Sequence, residues 1–228
     1  MASKIKFTCK HCNKAYSRES TLAVHVCEPK RRFQARTEPY ARIGLITYQR
    51  FTELAMRAKK VPDWDDFDSC SFYTSFTAYG RYVATSNLVA PEKYTDWLLT
   101  NSVRIEKWPK DSTYAKFIAE FVRKEPVDGA VARSIETMLQ WGEKHLVDIE
   151  NYFKISSMSE FYNHIRSGRV SPWVLYGTTQ GKQALLNLDE DLLQKLFPII
   201  EPEYWNRKIS QSPEDVEWLQ SIFNRYRF

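Results

Sequence analysis

Three of the four cysteines in this 228-residue chain, and two of its four histidines, fall within the first 27 residues. Cys9 and Cys12 are separated by two residues, and His25 and Cys27 by one. A disulfide framework would suit a secreted chain with more widely spread cysteines. Thiolate and imidazole groups are instead the ligands that Zn²⁺ prefers, and a Cys-x2-Cys pair lets two thiolates share one tetrahedral ion. Cys9, Cys12, His25 and Cys27 are therefore the predicted metal ligands, and zinc is the predicted cofactor.

The short spacing between the last two ligands constrains the backbone. Residues two apart point to nearly opposite sides of a helix, so Cys27 can share a metal with His25 only if a helix ends at or near His25. Glu28-Pro29 favours such an end, because the residue before a proline avoids the helical conformation. His11 is expected to face solvent rather than bind the metal, and the isolated Cys70 is expected to be a buried thiol.

The first 27 residues resemble the C2H2 zinc-finger family, with a cysteine in place of the usual last histidine (a C2HC variant). The matching positions are Phe7, Cys9, Cys12, Tyr16, Leu22, His25 and Cys27. The resemblance implies a ββα finger whose small core holds the phenylalanine, tyrosine and leucine. A segment this short buries too little apolar surface to fold alone, so metal binding is expected to supply its folding free energy.

The remaining sequence predicts helices that follow the finger. Apolar residues recur at helical spacing from about residue 40 onward, as in Phe72, Phe76 and Tyr79, and no run alternates long enough to predict a sheet outside the finger. The first of these helices is expected to end near Lys59-Lys60. The predicted fold is mostly α: a zinc finger at residues 1–28, a basic linker at 29–39 and an all-helical domain at 40–228.

Composition excludes several classes of protein. No run of 18 apolar residues is present and the N-terminus lacks the apolar stretch of a signal peptide, so we expect a cytoplasmic protein in a reducing compartment with no membrane partner. The sequence contains no Gly-rich phosphate loop, HExxH or GxSxG motif, and His145 and His164 have no recognisable catalytic spacing. These patterns give no support for an enzyme, although they leave the question open.

The positive charge is concentrated at the N-terminal end. Residues 1–42 hold ten Lys or Arg against three Glu, a net charge of +7, whereas the remainder has 23 cations and 25 acids, a net charge of −2. Such asymmetry is typical of a protein that binds a polyanion. The residues predicted to contact nucleic acid are Lys14, Arg18, Thr21, Lys30, Arg31, Arg32 and Arg36. By resemblance to the finger family, Arg18, Thr21 and Val24 would face bases, and only the arginine could pair with a guanine edge.

The whole chain resembles a group of zinc-finger-headed proteins of large tailed bacteriophages, on the finger together with residues 72–82 and 171–176. That resemblance implies a phage origin and action inside an infected bacterial cell, but no particular activity. The leading hypothesis is a nucleic-acid-binding accessory protein in replication, recombination or transcription, with DNA favoured over RNA as the partner. A protein-interaction or assembly factor that docks through its zinc head is the alternative, and a DNA-modifying enzyme is a third hypothesis.

Overall fold

A computed structural model describes residues 7–226 of the chain. In that range the only sheet is an antiparallel hairpin of two short strands, β1 (Phe7–Thr8) and β2 (Ala15–Tyr16), and the other regular elements are helical. This confirms the predicted mostly-α class with a small ββα segment at the N-terminal end. Residues 7–27, which contain this segment and the four candidate ligands, are called the head below. The chain divides into two compact units, of which unit 1 ends at Pro109 and unit 2 begins at Lys110.

Unit 1 carries the hairpin and six of the described helices, followed by a 3-10 turn at Ile105–Lys107. These helices are α1 (Glu19–Ala23), α2 (Glu28–Ala35), α3 (Pro39–Leu54), α4 (Trp64–Ser69), α5 (Tyr73–Ser86) and α6 (Pro91–Thr100). The boundaries predicted at residues 28 and 39 therefore both lie inside unit 1.

The segment at residues 29–39, predicted as a basic linker, is mostly helical. α2 begins at Glu28, and α3 begins at Pro39, where the fixed backbone of proline suits the first helical position. The Glu28 carboxylate accepts hydrogen bonds from Arg31 at 2.5 Å and from Arg32 at 3.1 Å. Such pairs, three and four residues apart, stabilise a helix, which explains why this charged segment is ordered as α2.

The described part of unit 2 is entirely helical, with a 3-10 turn at Ile149–Asn151. Its helices are α7 (Asp111–Lys124), α8 (Val127–His145), α9 (Tyr152–Ile155), α10 (Met158–Arg166), α11 (Pro172–Gly177), α12 (Thr179–Leu186), α13 (Glu190–Ile200), α14 (Pro202–Gln211) and α15 (Pro213–Arg225). None of the helices within residues 7–226 has the length and apolar composition that a bilayer crossing requires.

The core of unit 2 is organised around α11 and a buried ion pair. Every residue of α11 is buried, and its capping residue Ser171 accepts a hydrogen bond from the Trp173 amide. The Ser171 hydroxyl also donates to Glu125 Oε1 at 2.8 Å, and Arg133 binds the same carboxylate with two nitrogens at 2.5 and 2.7 Å. Because a buried charge is costly unless it is paired, this network fixes how these helices meet.

The core of unit 1 is an aromatic cluster beneath the α3–α5 pair. The Trp108 ring makes edge contacts with Phe76 at 5.8 Å and Tyr79 at 5.4 Å, measured between ring centroids, and all three side chains are buried. The two helices approach closely at Gly80, where an added Cβ atom would lie 2.0 Å from the Tyr40 carbonyl oxygen. Close helix packing at this position therefore requires glycine.

Replacing Gly80 with alanine should destabilise unit 1 by at least the roughly 1–3 kcal/mol typical of overpacking, because a backbone oxygen cannot move aside as a side chain can. Hydrogen exchange of α3 and α5 measures the effect. Gly129→Ala is the control, since its Cβ would meet only Pro126 Cγ at 4.0 Å; it should change stability by less than about 1 kcal/mol. Unchanged protection of α3 and α5 in the Gly80 variant would contradict this packing.

Candidate metal centre

A tight hairpin turn places the first two cysteines of the head. The Cys9 amide donates to the Lys14 carbonyl at 2.9 Å, and the Asn13 amide donates to the Cys9 carbonyl at 2.8 Å. Asn13 has a left-handed backbone (φ 58°), which asparagine adopts more readily than most residues. The turn thus lets Cys9 and Cys12 face the same point.

The second half of the site lies between two helices. α1 ends at Ala23, and the His25 amide donates to the Leu22 carbonyl at 3.1 Å, just past the helix end. Cys27 is extended (φ −127°, ψ 162°) and is the residue that precedes α2. The expectation that a helix ends near His25 is confirmed. The reason given for it is wrong, because α1 ends at Ala23, well before Glu28-Pro29, and these two residues begin α2 instead.

The four predicted ligands are brought together. Their metal-binding atoms all lie within 4.8 Å of one another, with 3.3 Å between Cys12 Sγ and His25 Nε2 and 4.0 Å between the sulfurs of Cys9 and Cys27. A tetrahedral ion with bonds of about 2.3 Å to sulfur and about 2.0 Å to nitrogen would separate its ligands by roughly 3.5–3.8 Å. Three thiols and one imidazole at these distances fit a single tetrahedral metal ion. Four protein ligands complete its coordination, as in structural sites.

Backbone amides favour the thiolate form of one ligand. The pKa of Cys9 is lowered, first because the His11 amide hydrogen-bonds to its sulfur; the Cys12 amide adds to this effect and burial opposes it. The pKa of Cys27 is raised, chiefly by burial. Because metals bind the thiolate, the amide donors around Cys9 prepare that sulfur for coordination.

Tyr16 contacts the histidine ligand on the side away from the other ligands. The Tyr16 hydroxyl and His25 Nδ1 are 2.7 Å apart, while His25 Nε2 faces Cys12 Sγ. When Nε2 binds a metal, Nδ1 carries the proton and donates it to the hydroxyl oxygen, which fixes the orientation of the ring. Sequence reasoning placed Tyr16 only in the finger core. The signal it missed is the hydroxyl, since phenylalanine would fill the core equally well.

The head also contacts α2. Lys30 Nζ donates to the His25 carbonyl at 3.0 Å, and the His11 ring packs on the Phe33 ring with centroids 5.0 Å apart. His11 is half-buried by this contact rather than fully exposed, and it lies outside the ligand cluster. Through Cys27 and Lys30, the start of α2 is attached to the metal centre.

The seven residues predicted to contact nucleic acid fall into two groups. Four are exposed, namely Lys14, Arg18, Thr21 and Arg31, although the last is paired with Glu28. Three are half-buried and have partners within unit 1: Lys30 as above, Arg32 with Glu28 and the Asp68 carbonyl, and Arg36 with the carboxylates of Asp65 and Asp68. The structure therefore does not present all seven on one open surface.

The remaining cysteine and histidines have other surroundings. Cys70 is half-buried at the end of α4, and burial raises its pKa. His145 Nε2 lies 2.9 Å from Glu160 Oε1. His164 Nδ1 lies 2.8 Å from the Tyr152 hydroxyl, and burial lowers the pKa of His164 to about 4. Within residues 7–226, none of these side chains belongs to a cluster able to hold a metal.

Comparison of the chain with models of known protein families, with curated proteins and with solved structures finds no match.

The purified protein should contain about one metal ion per chain, because four protein ligands suffice for one tetrahedral ion. Elemental analysis measures the content of the wild type and of Cys12→Ser and Cys27→Ser, both of which should lose most of the metal. Cys70→Ser is the matched control and should retain it. Stoichiometric metal in the Cys27 variant would show that this residue is not a ligand.

Tyr16→Phe should weaken metal affinity about tenfold, the lower end of the effect of removing a group that orients a metal-bound histidine. The ring, and with it the finger core, is preserved. Competition with a chromogenic chelator gives the affinity, and Tyr40→Phe, a change far from the cluster in sequence, serves as the control. Equal metal affinities for wild type and Tyr16→Phe would show that the Tyr16 hydroxyl does not contribute to metal binding and that Tyr16 acts only through its ring in the core.

Proposed function

We propose that the head is a zinc finger and that the chain is a nucleic-acid-binding accessory protein. Support for zinc is the ligand set, because thiolates and imidazole in a tetrahedral arrangement are the donors that Zn²⁺ favours over harder ions such as Mg²⁺. The resemblance to finger-headed bacteriophage proteins supports action in the cytoplasm of an infected bacterial cell, in replication, recombination or transcription.

The observation that carries nucleic-acid binding is a set of exposed cations on the finger. Lys10, Lys14 and Arg18 are exposed, and among the described residues none of the three has a carboxylate partner. All three belong to the segment with the net charge of +7. Cations held outward by a metal-organised scaffold are suited to phosphate contacts.

These contacts are proposed to be independent of base sequence, with DNA as the favoured partner. α1 has only five residues, little more than one turn, whereas finger helices that read bases present three positions along the major groove. Of the corresponding positions here, Thr21 and Val24 are exposed and offer at most contact with a thymine methyl group. Phosphate contact is therefore the stronger source of affinity.

Removing two of the exposed cations tests the proposal. Lys14→Gln with Arg18→Gln should weaken binding to duplex and single-stranded DNA alike. It should also make the log–log salt dependence shallower by up to about 1.8, since each lost phosphate contact on duplex accounts for about 0.9. Fluorescence anisotropy at several salt concentrations measures both quantities. The control is Lys154→Gln with Lys195→Gln, two exposed lysines of unit 2 whose loss changes the net charge equally.

If both double variants weaken DNA binding equally, binding depends on the net charge of the protein and not on the cations of the finger. A second function would then take the lead, namely docking of a protein partner through the head. The observation that favours it is a pair of exposed apolar side chains on either side of His25, since Val24 is 78% and Val26 64% exposed. Contiguous exposed apolar surface is a mark of protein interaction sites.

A further inference from the structure

Arg32 of α2 and Arg36, the residue that follows α2, are bound by the short acidic helix α4. Arg36 donates through Nε and a terminal nitrogen to Asp68 Oδ2, at 2.9 and 2.8 Å, and also binds the Asp65 carboxylate. Arg32 donates to the Asp68 carbonyl at 2.6 Å. The side chains of Arg32 and Arg36 are only 22% and 23% exposed, against 66% for Arg31 on the outer side of α2.

Aromatic rings hold the same two guanidinium groups from other sides. Arg32 lies over the Tyr73 ring at 4.4 Å, and Arg36 lies 5.0 Å from the Phe33 ring and 5.7 Å from the Trp64 ring. A planar guanidinium bound by oxygen anions and stacked on rings is also how arginine binds phosphate and bases. The α4 carboxylates therefore occupy Arg36 in the manner of a nucleic acid. Arg32 is held beside it by the Asp68 carbonyl and by Glu28.

The side chains of the two acids involved make no hydrogen bond within α4 among the described residues. Asp63 and Asp66 form the capping box that begins the helix, and Asp66 also pairs with Lys60 at 3.0 Å. The side chains of Asp65 and Asp68 bind only Arg36, and Asp68 Oδ1 is buried without a hydrogen-bond partner among the described residues. A buried acceptor left unsatisfied costs free energy, so the contact is not optimised for stability alone.

We propose that α4 is a built-in competitor for nucleic acid. It holds Arg36 through the carboxylates of Asp65 and Asp68, and Arg32 through the Asp68 carbonyl, until phosphate groups replace these contacts. This inference rests on the proposed function and adds regulation to it. Phe67 is fully buried and anchors α4 in the core of unit 1. The exchange therefore consists of the arginine side chains turning from carboxylate to phosphate, while α4 stays in place.

Asp65→Asn with Asp68→Asn tests the competitor, because it removes two charges and keeps the shape and the capping box. The control is Glu92→Gln with Glu106→Gln, two exposed acids of unit 1 that give the same net charge. The aspartate variant should bind DNA roughly tenfold more tightly than the control at low salt. Its log–log salt dependence should be steeper than that of the control by up to about 0.9, from one further phosphate, because Arg36 loses its carboxylate partners while Arg32 stays paired with Glu28.

Adding Arg32→Gln and Arg36→Gln to the aspartate variant should remove the gain, whereas the same arginine changes in the wild type should alter DNA binding little. The single variant Asp65→Asn should show part of the gain. Its side chain is 86% exposed, so it retains the fold even if the double variant does not, which circular dichroism establishes for each protein.

The outcomes separate the two proposals. If wild-type binding depends on Lys14 and Arg18 but the aspartate variants bind no better than the glutamate control, α4 is a purely structural partner of α2 and the competitor is overturned, while the proposed function stands. If neither the wild type nor the aspartate variants bind DNA at low salt, both proposals are wrong. A gain that survives the loss of Arg32 and Arg36 also overturns the competitor.

Discussion

The head depends on one constraint, which is that it has almost no apolar core. Of residues 7–27 only Cys9 is buried, and the three residues predicted to form the finger core, Phe7, Tyr16 and Leu22, are half-buried. Burial on this scale cannot offset the conformational entropy lost on folding. The convergence of three thiols and an imidazole on one point is therefore what determines the conformation of the head, and in the proposed zinc-bound form the metal supplies the missing free energy.

The cluster of candidate ligands also determines where the positive charge goes. Cys27 is both a candidate ligand and the residue that precedes α2, so the start of α2 is tied to the cluster. The other end of α2 is held by the aspartates of α4. With both ends fixed, Arg31 points to solvent while Arg32 and Arg36 point toward α4. Charge that is a single block in the sequence is thus divided by the fold into exposed cations and internally neutralised ones.

Local signals predicted the class of the fold and the candidate ligands, because both depend on residues close in sequence. The helical spacing of Phe72, Phe76 and Tyr79 and the spacing of the ligands are of this kind. Features that depend on distant residues were missed: α2 is ordered partly by aspartates some 30 residues away, and α3 ends at Leu54, before Lys59-Lys60, near an Arg57 with a left-handed backbone (φ 52°). The boundary between units 1 and 2 at residue 109 depends on how whole helices pack, and no short sequence motif marks it.

The division of charge bears on how a salt dependence should be interpreted. Counterion release counts the phosphates that the protein neutralises, so an arginine already neutralised by a carboxylate contributes to the slope only after that carboxylate has been replaced. Exchanging Asp68 for a phosphate gives Arg36 no new charge contact, and it leaves a half-buried carboxylate without its cation, which is unfavourable. The net free energy of recruiting Arg36 is therefore small, whereas Lys14 and Arg18 have no carboxylate partner to lose within residues 7–226. Phosphate contacts should begin at the finger and extend to α2 only where the nucleic acid presents enough charge to replace α4.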